Sequence, residues 1–174
     1  MSASGRPPQV AALDELKAFL RVETAIEDAL LQGFLRAATA AAEAFLGEAL
    51  VRRECEDLLD PQAGPLRLAA RPVREVLLVE RLGGERPGPV EPGDWSVCTD
   101  RRGRSRLELD PAGGRVRAVY SAGLADDWNG VPEPVRLAVL RAAAHAFANR
   151  DDPDGGAFPP AFGDLLAQVR KPRL

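Results

Sequence analysis

The apolar periodicity of this chain changes twice, and the two changes restrict the folds open to it. Up to Gly47 the apolar residues repeat at helical spacing; from Leu50 to Tyr120 β-branched residues recur between proline and glycine breaks; after Gly130 the helical spacing returns. A helix buries a stripe of period 3.6 and a strand buries a face of period two, so a segment written in one pattern does not settle in the other conformation. The order helix, strand, helix predicts an α+β fold. Two N-terminal helices and a later long helix form a helical core, a small antiparallel β region is inserted between them, and a C-terminal helical arm follows.

The helical segments can be placed more closely. Residues 1–10 contain Gly5, Pro7 and Pro8 and are expected to form a flexible arm ahead of a single domain over 11–150. Leu13, Leu16 and Leu20, with Phe19 beside them, predict a short first helix over 12–22. Thr24 followed by Glu27 matches a capping box, which predicts a second helix over 25–46 with Ile26, Leu30, Phe34, Ala37, Ala41 and Phe45 as its apolar stripe and Gly47 as its stop. Ala37, Ala38, Ala41 and Ala44 leave little side-chain bulk, so a neighbouring helix can approach closely there, within the subunit or across an oligomer interface. A third helix is expected over 133–149, led by Pro132 and Pro134, with Val135, Val139, Ala142, Ala143 and Phe147 on one side. The stretch 151–160 reads as a hinge, and a last short helix from Ala161 to Val169 buries Phe162, Leu165, Leu166 and Val169.

Within the β region, 50–121, the candidate strands are Leu50–Leu58, Leu66–Ala69, Val73–Leu82, Trp95–Thr99, Ser105–Leu109 and Arg115–Ser121. Gly83 to Gly93, with three prolines and four glycines, reads as a loop rather than an element, and Arg101, Arg102 and Gly103 as a hairpin tip.

Composition excludes more than it assigns. A net charge of -3 provides no general attraction to nucleic acid or membrane, so any contact with DNA must come from a local basic patch. The N-terminal segment lacks the apolar core of a signal peptide, and no apolar run approaches the roughly 20 residues that span a bilayer, which predicts a soluble, cytoplasmic product. A zinc site needs three or four N/S ligands; Cys55, Cys98 and His145 are all this chain has, and they share no motif spacing. His145 lies in an alanine run with no nucleophile or acid beside it, which suits packing better than a catalytic triad. Cys55 and Cys98 read as free structural thiols. GGERPG, from Gly83, lacks the Lys-Ser/Thr ending of a phosphate loop; DDPDGG, from Asp151, lacks calcium-loop spacing; Asp126 and Asp127 read as a solvated acidic pair. No metal, cofactor or enzymatic activity is expected.

Arg101, Arg102, Arg104 and Arg106 stand out, with Arg115 and Arg117 on the neighbouring strand. Guanidinium groups grip phosphate and carboxylate in a bidentate way. On a strand, Arg102, Arg104 and Arg106 share one face while Ser105, Leu107 and Leu109 point to the other. The cluster is a candidate contact for DNA or an acidic partner, against the plainer reading of a solvated hairpin in an arginine-rich chain.

Three stretches together resemble one known family. They are LDELKAFLRVETAIEDALLQGFLRAATAAAEAFLGEAL from Leu13, RPVREVLLVE from Arg71, and VRAVYSAGLADDWNGVPEPVRLAVLRAAAHAFANR from Val116. In this order they resemble the head–tail connector, or adaptor, proteins of tailed phages and of phage-derived gene transfer agents, over about Leu13 to Arg150. The resemblance implies a structural subunit that forms a ring, dodecameric in the common case, beneath the portal. Such a ring extends the DNA channel and offers a surface to the next tail or stopper component. It implies that the alanine-rich helix packs subunits together. It also implies that 151–174 is a hinge and portal-docking arm, with Phe158, Phe162, Leu165, Leu166 and Val169 as apolar anchors and Arg170, Lys171 and Arg173 as charged clamps. Such a protein works without a cofactor, assembles in the cytoplasm and ends in the neck of the particle, away from any membrane. The alternative is a small DNA-binding or packaging accessory protein that uses the arginine hairpin 101–106.

Overall fold

The computed structural model describes residues 8–60, 65–83, 87–110, 114–150 and 158–169. The elements are α1 (Pro8–Leu20), α2 (Asp28–Leu46), β1 (Arg53–Leu59), β2 (Val73–Arg81), β3 (Gly88–Pro89), β4 (Trp95–Thr99), β5 (Ser105–Leu109), β6 (Val116–Ala122), a 3-10 turn (Trp128–Gly130), α3 (Glu133–Ala148) and α4 (Phe162–Ala167). The expected α+β class is the one observed. The helices make one compact unit, and the strands between Arg52 and Leu124 make another.

In the helical unit α3 packs against α1, α2 and α4. Leu16, Leu31, Val135, Val139 and Leu166 are fully buried, and each such side chain contributes roughly 1.5–3 kcal/mol relative to exposure. Ala38 and Ala42 of α2 and Ala138, Ala142 and Ala143 of α3 are also buried, so the two helices meet through small side chains. Phe34 and Phe147 close the same junction edge to face, with centroids 6.4 Å apart. Glu15 of α1 receives Trp128 Nε1 at 2.6 Å and Arg136 at 2.7 Å, tying α1 to the 3-10 turn and to α3.

Several expected boundaries and faces move. Helix α1 begins at Pro8, inside the stretch expected to be an arm, and ends two residues before Val22. Its end is closed by Arg21 in the left-handed region, with the Val22 N–H donating to the Lys17 carbonyl, a Schellman-type stop. No capping box forms. Helix α2 starts at Asp28, and Glu27 precedes it without a side-chain cap; Asp28, in the first turn, pairs instead with Lys17 at 2.7 Å. The buried stripe is Leu31, Leu35, Ala38, Ala42 and Leu46, one residue on from the expected stripe, and Ile26 is 89% exposed. Apolar residues sit side by side at Leu30–Leu31, Phe34–Leu35 and Phe45–Leu46, so periodicity alone left two stripes about 100° apart and packing selected one. Gly47 stops α2 as expected, at φ 70°.

In the β unit the central strand is β6, in a sheet of order β1-β6-β2-β3, all antiparallel. Nearly every side chain of β6 is buried, which fits a strand with partners on both edges. Strands β4 and β5 form a separate hairpin with the expected bounds. Val79, Val116, Ala118, Tyr120 and Ala122 share one core with Leu68 and Leu107. Two expectations fail here. Leu66–Ala69 is no strand but a single bridge, Arg67 to Arg106, and the glycine-proline loop contains the two-residue β3 paired with the end of β2.

Candidate functional site

The arginine hairpin is built from its turn outward. Asp100 Oδ1 accepts the backbone N–H groups of Arg102 and Arg104 at 2.8 and 2.9 Å, and Gly103 adopts φ 72°, which closes the tip. The Arg104 guanidinium adds a bond to Asp100 Oδ2 at 2.7 Å. The Arg104 backbone N–H, outweighing the burial that opposes it, and the bonds from the Arg104 side chain and the Arg102 N–H hold the Asp100 carboxyl below its ordinary range. Below the tip, Thr99 and Ser105 share a hydroxyl bond at 2.9 Å, and Ser105 and Leu107 point into the core. Arg104 and Arg106 point to the opposite, open face, as the alternation predicts. Arg102 does not join them, because it lies in the turn rather than on β5.

A third edge completes this face. Leu68 N–H donates to the Ser105 carbonyl and Leu107 N–H to the Leu66 carbonyl, so Arg67 and Arg106 form a non-hydrogen-bonded antiparallel pair. In that geometry the side chains are at their closest, with Cβ atoms roughly 5 Å apart. Cys98 lies opposite Arg106 on its other side. Arg67, Arg104 and Arg106, with Cys98, Thr99, Asp100 and Ser105, line a groove of about 300 Å³. Arg104 is paired with Asp100, and Arg106 with Glu108 at 2.6 Å, a hydrogen bond that raises the guanidinium further above its usual value. Among the described residues no carboxylate pairs with Arg67 or Arg101. Such exposed pairs are screened by solvent and contribute little, so they are easily exchanged for another anion.

Arg67 is the functional candidate that reading the sequence missed. Its signal was the alternation Leu66-Arg67-Leu68, in which both leucines face inward and the arginine outward. The edge segment that carries it is latched by the single tyrosine. Tyr120 Oη donates to Asp57 Oδ2 at 2.8 Å and accepts the Ala70 N–H at 2.8 Å, while the Ala69 N–H donates to the same Asp57 oxygen at 2.7 Å.

Arg117 is not part of the cluster, contrary to expectation. It stands on β6, outside the β4–β5 hairpin, and is held by Glu56 at 2.9 Å and Glu80 at 3.4 Å from the strands on either side. The hydrogen bond from Arg117 holds the Glu56 carboxyl below its ordinary range.

The other candidates are dispersed. His145, half-buried near the end of α3, faces Asn149 Nδ2 at 3.2 Å, and its carbonyl accepts the Asn149 side chain at 2.8 Å, a helix-end arrangement. The Cys55 thiol is half-buried and donates to the Arg53 carbonyl; the Cys98 thiol is exposed. Asp127 is more than solvated: it accepts the Gly130 N–H at 3.0 Å and caps the 3-10 turn. Among the described residues no three His, Cys, Asp or Glu side chains gather to hold a metal, and no helix is long and apolar enough to cross a membrane. Of the expected subunit-packing alanines, Ala38 is buried inside the helical unit, Ala41 is half-buried, and Ala37 and Ala44 are exposed. Of the expected docking anchors, Phe162 and Leu166 are buried in the helical unit, because α4 packs on α3; Leu165 and Val169 are half-buried, and Phe158 is exposed and stacked on Phe162. Arg170, Lys171 and Arg173 lie outside the described residues.

Two comparisons bear on this architecture. Residues 10–76 match the family described as phage gp6-like head-tail connector protein. The chain resembles the phage head–tail connectors. That likeness extends to a chain in the virion of a native gene transfer agent particle, with 28% sequence identity, a TM-score of 0.74, and coverage of 99% of this chain and 96% of that one. The neck of the empty particle, computed with C6 symmetry, matches with the same values. The neck of the native particle, computed with C12 symmetry, matches at 28% identity and a TM-score of 0.72 over the same shares. No match is found among curated proteins. The role that accompanies this likeness is a structural one, in the connector of a phage-like particle.

Proposed function

We propose that this chain is a structural head–tail connector subunit that forms a dodecameric ring beneath the portal, extends the DNA channel and joins the capsid to the tail. The observation that carries the proposal is likeness over 99% of the chain to a chain of a neck computed with C12 symmetry. The partners are other copies of the chain, the portal protein, the next tail or stopper component, and DNA passing through the ring. The subunit is made in the cytoplasm and ends in the particle neck.

A closed ring needs two different faces per subunit that complement each other. The helical unit offers Phe19, Ile26 and Leu30, all exposed, together with Ala37 and Ala44 on the outer side of α2. These are the residues proposed to meet the next copy. Portal docking is assigned to Phe158, Leu165 and Val169 and to the terminal Arg170, Lys171 and Arg173. Phe162 and Leu166 act differently, holding α4 against the body of the subunit.

The test is an image of the particle neck with this chain labelled, combined with two variants. Removing residues 170–174 should leave the subunit folded and reduce its attachment to portal-bearing heads. Replacing Ile26 and Leu30 by Glu should block ring closure while sparing the monomer. A label found outside the neck, or wild-type attachment and assembly by both variants, refutes the proposal.

A further inference from the structure

We propose that the groove beside the β4–β5 hairpin is a phosphate site for the backbone of DNA, gripped by Arg67 and Arg106 with Arg104 as its wall. Arg67 and Arg106 stand directly opposite each other in a close antiparallel pair, an arrangement in which like charges repel. Glu108 balances Arg106, and no carboxylate among the described residues balances Arg67. Across Arg67, Arg104, Arg106, Asp100 and Glu108 the formal charges leave one positive charge in excess, the charge a single phosphodiester carries. A bridging phosphate would turn the repulsion into two charge-assisted hydrogen bonds.

The lining decides between a nucleic-acid backbone and an acidic protein segment. Protein partners are anchored by aromatic or aliphatic side chains in desolvated pockets. The residues that line this groove are three arginines, an aspartate, a threonine, a serine and a cysteine. The exposed apolar residues of the β unit, Leu58, Leu77 and Leu82, belong to β1 and to β2 and its end, outside the lining of the groove. Arg101, exposed in the turn at the tip, also has no carboxylate partner among the described residues. The inference does not rest on ring formation, because the groove belongs to a single chain.

Cys98 provides a direct reporter, since its exposed thiol lies opposite Arg106, whereas Cys55 stands on β1. The full-length protein would be titrated with a labelled short DNA duplex over a range of salt, with polyglutamate as a competing arm. The expected result is weak binding whose log–log salt slope becomes shallower by about 0.9 for each of Arg67→Ala and Arg106→Ala, with Arg52→Ala, an exposed arginine paired with Glu75, as the unaffected control. DNA should also slow alkylation of Cys98 severalfold in the wild-type protein and leave Cys55 unchanged, a readout that needs no variant to fold. Equal slopes in all variants, a Cys98 as reactive with DNA as without it, or polyglutamate binding tighter than the duplex would each overturn the proposal. Imaging of the neck remains a separate test, so loss of one reading leaves the other standing.

Discussion

Replacing Tyr120 by Phe tests whether the tyrosine latch sets the geometry of the arginine groove. The ring itself is fully buried in the β-unit core, and Phe keeps that packing, so the change isolates the hydroxyl. The hydroxyl makes two hydrogen bonds of 2.8 Å, one to a carboxylate and one from the Ala70 N–H. Leaving a partly buried N–H unpaired costs about 1–3 kcal/mol, and the lost bond to a charged acceptor is worth a similar amount, although Asp57 keeps its bond from Ala69. Shared water contact reduces the sum, so we expect a loss of about 2–3 kcal/mol. For a chain of this length that lowers Tm by roughly 5–10 °C, at about 2–4 °C per kcal/mol. Thermal and urea unfolding followed by circular dichroism measure the loss, and hydrogen exchange locates it: the Ala69 and Ala70 amides should exchange faster while those of α3 do not change. A stability within about 0.5 kcal/mol of wild type, or unchanged exchange at Ala70, would show that the latch does not hold the edge segment that carries Arg67.

Further outcomes follow from the same contacts. Burial pushes the Tyr120 phenol well above its ordinary value of 10.0, while the unfolded chain releases that proton near the ordinary value; above about pH 10 the unfolded state therefore binds fewer protons, and stability falls as pH rises. Unfolding measured on either side of pH 10 should show this decline in the wild type, and Tyr120→Phe should lack it. Glu15→Ala leaves Trp128 Nε1 and Arg136 without their shared acceptor and should cost about 1–3 kcal/mol, with Glu15→Gln recovering part of it; equal stability of all three proteins by urea unfolding would count against the tie. Gly47→Ala forces a Cβ into φ 70° and should destabilise the helical unit by about 1–2 kcal/mol in thermal melts.

Much of the architecture was legible because it depends on local signals. The bounds of β4 and β5 follow from alternation and a turn whose Asp100 bonds its own neighbours. Gly47 was legible for the same reason: no other residue enters the left-handed region so readily. The face of α2 was not, because adjacent apolar residues make two stripes and only the surface of α3 chooses between them. The real start of α2 was missed because Thr24 and Glu27 present a capping pattern, whereas the observed contact is Lys17 with Asp28, eleven residues apart.

The arginine hairpin shows the same division. Which arginines face away from the core on β5 was set by the two-residue repeat, a property of the strand itself. Which of them remain without a partner was a tertiary matter. Pairing with Glu56 and Glu80 removed Arg117 from the cluster, and an isolated bridge added Arg67 to it. By itself, then, the sequence determined the α+β class, the strands of the hairpin and the residues along which this chain resembles the head–tail connectors. Only the tertiary structure decided which faces are buried and which charges stay open, because those depend on contacts between segments far apart in the chain, and periodicity has no information about them.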